Sequence, residues 1–355
     1  MKTTYLLLCL LGIGSVPGAG QTKQPQKIGD FIESTSYNEH RRNATRSLQY
    51  TPDGDDFVCI NGKNRFTRAL YGSHTAFRLE TSDRPVFAAY TKENPKHICF
   101  KLQTSGGTVA LDSTEHCESR YTAGRRSYSL SDPAFGGGSL SITTWALPDK
   151  EGAIWQFNAR NFKEFHPVLL ASISEIRNSK LNRNGDMGAD PADSFEAPLQ
   201  PQQLQSFPVQ IDGTLYMLLE NQELRTLTTA EGENLFKKAE AARSETASRI
   251  RIETPDPYFN TLGGTLAMAA DGIWDGEVWL HGAIGWRMPL SGWRAAYTGD
   301  VLGWHDRART HFNAYAASQV TEVPNTLPHP AQDSALHLAR SVKKWGTPQY
   351  SNGYI

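Results

Sequence analysis

Ser139-Leu140-Ser141-Ile142-Thr143 alternates polar with apolar side chains, and Thr144-Trp145-Ala146 carries the run on. A period of two sends successive side chains to opposite faces of a sheet, so this stretch reads as a half-buried strand. Working outward, similar runs recur at Ala76–Leu79, Val86–Tyr90, His97–Leu102, Ala153–Ala159, Val168–Ile173 and Thr214–Leu219, all short and rich in β-branched or aromatic residues. Turn-forming clusters separate them, among them Asp53-Gly54-Asp55, Ser105-Gly106-Gly107 and Gly136-Gly137-Gly138. From Phe57 to Leu219 no helical period intervenes. Many short strands with turns between them predict an antiparallel β-sandwich over residues 51–227.

The pattern changes at Thr228. Thr228 and Glu231 have the spacing of a capping box, and Ala230–Ile250 is rich in Ala, Glu, Lys and Arg. Residues 228–255 therefore read as a surface or linking helix, ended by Pro255 and Pro257. In Thr261–Trp274, the residues Leu262, Leu266, Ala269, Ala270 and Ile273 form one helical apolar face. A second strong helix is expected from Val301 to about Thr321, where Leu302, His305, Ala308, Phe312, Tyr315 and Ala316 recur at steps of three and four. A third is expected at Ala331–Trp345, after the breakers Pro324, Pro328 and Pro330. Three helices are too few to bury their apolar faces around a site. Residues 256–355 thus read as the opening of a helical domain that the chain leaves incomplete.

Five of the eight tryptophans, Trp274, Trp279, Trp286, Trp293 and Trp304, fall within residues 274–304. Asp271, Asp275, Glu277, His281, Arg287, Arg294, Tyr297, Asp300, His305, Asp306 and Arg307 are interleaved with them. Flat indole faces beside carboxylates, guanidiniums and imidazoles suit a ring-shaped polar ligand, above all a sugar. Gly276, Gly282, Gly285, Pro289, Gly292 and Gly299 interrupt the segment, so it reads as shaped loop. Glycosidic hydrolysis needs one carboxylic acid to protonate the leaving oxygen and a carboxylate to attack or to activate water. Asp300, placed where it equally serves as a helix N-cap, or Asp306, on the helix that follows, is the candidate acid or substrate-positioning group. Trp286, Trp293 and Trp304 are the candidate stacking surfaces. Arg287, Arg294 and His305 are the candidate polar contacts, the arginines suited to fork onto hydroxyls or carboxylates. The competing reading makes the charges a buried ion-pair network and the tryptophans core. A lyase, with Tyr297 or His305 abstracting a proton, is a further alternative, as is a carbohydrate-binding or scaffold protein without catalysis.

The net charge of −1 gives no support for nucleic-acid binding, and 39% hydrophobic with 21% charged residues describes a globular protein. The length suits about two domains. Residues 1–20 read as a signal peptide: Lys2, the short apolar run Tyr5–Ile13, and Gly18-Ala19-Gly20 before Gln21. No apolar run is long enough for a membrane span. The protein is therefore expected to be exported, periplasmic or extracellular, with residues 21–50 an extended lead-in. Cleavage leaves Cys59, Cys99 and Cys117, read as structural, with one disulfide and no disulfide both open and no zinc spacing.

Three further motifs stand apart. Asn182, Asn184, Asp186, Asp190 and Asp193 fall at calcium-loop positions, but Met187 replaces the expected glycine, and an Asx-rich turn accounts for them as well. The aromatic and basic run Asn64-Arg65-Phe66-Thr67-Arg68-Ala69-Leu70-Tyr71-Gly72, with His74, suits carbohydrate binding or domain docking and reads chiefly as a domain interface or core element. Asn43-Ala44-Thr45 is a glycosylation sequon. Neither a metal nor an organic cofactor is expected.

The run 64–72, together with Tyr121-Thr122-Ala123-Gly124-Arg125, resembles the N-terminal β domain, of no assigned function, in a family of exported Bacteroidota proteins. Gly285-Trp286-Arg287-Met288, Gly292-Trp293-Arg294, Gly299-Asp300 and Gly303-Trp304-His305-Asp306-Arg307 resemble the start of that family's next domain, an (α/α)6 toroid of the six-hairpin glycosidase type. The resemblance implies an antiparallel β-sandwich followed by the first helices of a toroid, acting on polysaccharide. Family members are longer, so the chain reads as ending just inside the toroid, with a catalytic partner expected beyond residue 355.

Overall fold

The computed structural model of the chain describes residues 34–35, 45–46, 50–63, 66–72, 77–91, 96–162, 167–175, 203–208, 213–280 and 296–317. The expected signal peptide, the Asn182–Asp193 run and the expected helix Ala331–Trp345 lie outside them. The chain divides into two units, Met1–Gln49 and Tyr50–Ile355. In the first, β1 (Ser34–Thr35) pairs antiparallel with β2 (Thr45–Arg46).

The second unit holds two antiparallel sheets, then helices. One eight-stranded sheet is built from β3 (Thr51–Asp53), β4 (Asp56–Ile60), β10 (His116–Thr122), β11 (Arg125–Ser131), β12 (Ser139–Ala146), β13 (Gly152–Arg160), β16 (Thr214–Glu220) and β17 (Glu223–Leu227). Its order is β17-β16-β13-β12-β11-β10-β4-β3. The other holds β5 (Phe66–Tyr71), β6 (Phe77–Ser82), β7 (Val86–Thr91), β8 (Lys96–Thr104), β14 (Val168–Glu175) and β15 (Gln203–Pro208). Its order is β15-β14-β8-β7-β6-β5, with β9 (Gly107–Ala110) hairpinned onto β8.

The opening motif occupies β12, where Leu140 faces Ala159 and Ile142 faces Phe157 of β13. The inward rings of the two sheets meet edge to face: Phe87 with Trp155 at 5.5 Å between centroids, Phe100 with Phe157 at 5.0 Å. One apolar core therefore lies between the sheets, lined by both. Edge-to-face pairs add about 0.5–1.5 kcal/mol each beyond their buried area.

The same period of two gives β16 two partners. Met217 and Leu219 enter the core between the sheets, whereas Tyr216 and Leu218 point outward and join Trp145, Leu147 and Ile154. Helix α1 (Thr229–Ala247) covers that outer patch with Ala239, Leu235 and Phe236. The indole N–H of Trp145 donates to Glu240 Oε2 at 2.9 Å. The expected capping box is formed: Thr228 Oγ1 accepts from the Glu231 amide at 3.3 Å, and Glu231 Oε2 accepts from the Thr228 amide at 3.0 Å. The helix read as a surface linker is thus packed on the sheet.

Helix α2 spans Pro257–Gly272. Pro257 opens it at the first turn, where a missing N–H costs nothing, with Asp256 as N-cap. The start therefore lies four residues before the expected Thr261. Its buried side also differs from the expected Leu262, Leu266, Ala269, Ala270 and Ile273 face. Thr261, Gly263, Ala267, Met268, Asp271 and Gly272 are buried, while Leu266 is 49% exposed. Small residues win because the backbone comes very close to the sandwich: a Cβ on Gly272 would lie 2.1 Å from the Tyr71 ring. A short helical turn at 296–301 precedes Gly303, whose φ of 83° breaks the helix. Helix α3 then runs His305–Ala317, not from Val301. Cys59, Cys99 and Cys117 are free thiols. Among the described residues no helix is long and apolar enough to cross a membrane.

Candidate functional site

Where α1, α2, α3 and the end of β5 converge, a cavity of about 320 Å³ is lined by Tyr71, Arg243, Arg249, Asp271, Trp304 and Arg307, among others. The 64–72 motif contributes through its last residues, Tyr71 and Gly72, so it does bring the sheet and the helices together. Burial pushes the Tyr71 phenol up to about 12, which keeps it a hydrogen-bond donor.

Asp271 sits in the last turn of α2 and is 8% exposed. Arg307 of α3 donates from Nη1 to its Oδ1 at 2.6 Å. Burial raises the Asp271 carboxyl above its ordinary range; the hydrogen bond and charge of Arg307, and the charge of Arg249, offset only part of that. A carboxyl that holds its proton more tightly than usual is shifted in the direction that general-acid work needs.

Indole rings fix the arginines. Arg307 lies over Trp304 at 4.7 Å and over Trp274 at 5.7 Å from the ring centroids. Arg249 lies over Trp304 at 5.0 Å and donates to the Leu302 carbonyl at 2.9 Å. A planar guanidinium against an indole face is attracted by the ring quadrupole and loses little orientational freedom there. Behind this layer, Trp274, Trp279, Ala296, Trp304 and Ala308 form a small core of their own. Trp279 is its hub. Its indole N–H donates to the Ala270 carbonyl and its backbone N–H to His311 Nδ1, each at 3.0 Å. Gly299 lies against its ring, where a Cβ would be 2.2 Å away. Asp275 serves the local turn, its Oδ1 accepting from the Glu277 and Val278 amides.

The expected site residues separate into groups. Asp300 and His305 meet at 2.6 Å, Oδ1 to Nδ1, on the surface. Asp306 points into solvent with its side chain 94% exposed, 3.0 Å from Arg309. Trp304 lines the cavity, but the two guanidiniums cover its face. Trp286, Arg287, Trp293 and Arg294 lie outside the described residues. Among the described residues no group of three or more His, Cys, Asp or Glu side chains is placed to hold a metal.

Sequence reasoning passed over Asp271, Arg307 and Arg249 as site residues. The available signal was Asp271 itself, a charge set directly after Ala267-Met268-Ala269-Ala270 in an apolar helix. Such a charge is buried only with a partner.

Residues 95–250 match the family model described as a domain of unknown function, DUF4450. The match takes in β8 through β17 and α1, and so most of the eight-stranded sheet, half of the other and the helix packed on the first. No curated protein matches the chain.

Proposed function

We propose that the chain is a glycoside hydrolase-like protein of polysaccharide degradation, its helices being the first of an (α/α)6 toroid. The observation that carries this reading is the cavity in which a buried carboxyl, two indole-stacked arginines and a protonated tyrosine converge. Sugar hydroxyls need donors and acceptors held in fixed positions, and an acid near neutrality needs a desolvated carboxyl. Asp271 supplies that property. Asp300 and Asp306, at the rim of the same helical segment, are the candidates for the second carboxylate or for positioning substrate. His305 is a polar contact oriented by Asp300. Trp286, Arg287, Trp293 and Arg294, outside the described residues, are proposed from the sequence as further sugar contacts, and Trp304 lines the cavity. Exported proteins meet polysaccharide outside the cytoplasm, and the sequence of residues 1–20, read as a signal peptide, is in keeping with this proposal.

The test is release of reducing ends from a panel of polysaccharides by the full chain and by its Asp271→Asn, Asp300→Asn and Asp306→Asn variants. Loss of turnover in Asp271→Asn, and in at least one of the other two, is expected. Turnover unchanged in all three would sink the assignment. The Asp300–His305 contact favours a second reading, a lyase: a carboxylate that orients an imidazole creates a proton-abstracting base. Products absorbing as unsaturated uronides, lost in His305→Ala, separate that reading from hydrolysis. Saturable glycan binding with no products of either kind leaves a binding protein.

A further inference from the structure

Helix α2 has two apolar sides, and only one is covered among the described residues. At 100° per residue its buried side, centred on Gly264 and Met268, lies opposite a stripe formed by Phe259, Leu262, Leu266, Ala269 and Ile273. Phe259 is 47% and Leu266 49% exposed. Leu262 and Ile273 are partly buried and lean on the neighbouring apolar clusters. A helix apolar on both sides needs two packing partners, and the sandwich is one. The stripe steps along the helix by three, four, three and four residues, the spacing of a seam that receives a second helix knobs-into-holes.

The same chain contains the complement. In Ala331–Trp345, the residues Ala331, Ala335, Leu338, Val342 and Trp345 step by four, three, four and three. Asp333, Arg340 and Lys344 fall on the opposite side of that helical period. The two stripes have equal length, and small residues of each (Ala269; Ala331, Ala335) stand among large ones, as interdigitating surfaces need. Residues 318–330 link α3 to this segment and reach up to about 45 Å, whereas α2 is only about 24 Å long. A tether of that reach holds the segment near α2 at an effective concentration on the order of millimolar, which favours it over a second molecule.

We propose that the Phe259–Ile273 stripe of α2 is the docking face for the segment Ala331–Trp345 of the same chain, packed as a helix.

The test is disulfide trapping in the full-length chain carrying Cys9→Ser. Burial raises the thiols of Cys59, Cys99 and Cys117, so they contribute little background. Leu266→Cys is combined with Leu338→Cys, the central pair in either helix orientation, and in a control with Arg340→Cys on the far side. Ala269→Cys, at an exposed alanine where substitution leaves packing intact, is combined with Ala335→Cys and separately with Val342→Cys. The expected result is an intrachain disulfide between 266 and 338 forming at least tenfold faster than in the Arg340 control, and one of the two Ala269 pairs closing in preference to the other. Equal rates for Leu338 and Arg340, no intrachain disulfide in any pair, or an interchain 266–266 bond in its place would overturn the proposal. The interchain product would assign the stripe to a second copy.

Discussion

Replacing Arg307 by methionine separates the charge of the Asp271–Arg307 pair from its packing, because methionine keeps the apolar stem and loses the guanidinium. In the native chain Asp271 Oδ1 lies 2.6 Å from Arg307 Nη1, with side chains 11% and 31% exposed. Removing one partner of a buried pair costs about 3–5 kcal/mol. The partial exposure of Arg307 screens the interaction and brings the expectation to about 2–3 kcal/mol near neutral pH. Most of that cost is the charge left on Asp271, so it depends on pH. The folded-state pKa of Asp271 is already raised above its ordinary 3.8, which makes its contribution to stability fully present below that value and lost as pH rises through the folded pKa. Without Arg307 the folded pKa climbs further. The stability gap between variant and wild type therefore opens as pH rises above the wild-type value. At acid pH, with Asp271 protonated in both proteins, what remains is the stacking of Arg307 on Trp304 and Trp274, about 0.5–1 kcal/mol. Urea unfolding of both proteins across a pH series, from neutral down to below the ordinary carboxylate range, measures this. A gap that stays the same across the series would refute the account of Asp271 as a desolvated carboxyl held by Arg307.

Two further outcomes are expected. Gly272→Ala forces a Cβ to within 2.1 Å of the Tyr71 ring, so it lowers stability by about 1–3 kcal/mol and moves the melting temperature down by several degrees, readable by circular dichroism. Thr228→Ala removes the capping box of α1 and costs about 1 kcal/mol in urea unfolding, with the denaturant slope unchanged.

The sheets were legible where burial on one face writes a period of two into the chain. Ser139–Ala146 is a strand with the bounds its alternation gives, five other runs fall within strands that extend a residue or more beyond them, and Phe77–Leu79 of the sixth lies in β6. The strands β10 and β11 escaped notice because their outward positions carry Glu118, Arg120, Arg125, Ser127 and Ser129, and their inward positions include Cys117, Ser119 and the fully buried Arg126. A hydrogen-bond network joins Tyr121, Tyr128 and Leu130 of the core in holding that part of the sheet: Arg126 donates to Tyr50 and to the Ser82 carbonyl, each at 2.7 Å. Helix α2 was legible as a helix but not in its orientation. Close approach through glycine leaves no hydrophobic signature, so Gly263 and Gly272 were invisible as packing residues while the exposed stripe stood out. For the candidate site, the density of tryptophan, arginine and aspartate in residues 271–307 marked the segment from which Asp271, Trp304 and Arg307 line the cavity. It did not distinguish Asp271, which tertiary burial sets apart, from Asp300 and Asp306, which remain in solvent.

The central claim, that the cavity beside Asp271, Arg307, Arg249 and Trp304 receives carbohydrate, is tested most directly by following tryptophan fluorescence while the chain is titrated with oligosaccharides cut from different polysaccharides. Trp145 and Trp304 line the cavity and Trp274 lies under Arg307, so a ligand there perturbs the signal. A saturable change with at least one oligosaccharide, weakened at least tenfold in an Arg249→Met variant that melts like the wild type, is the predicted result. A flat titration with every oligosaccharide, or a saturable change that Arg249→Met leaves untouched, would contradict it.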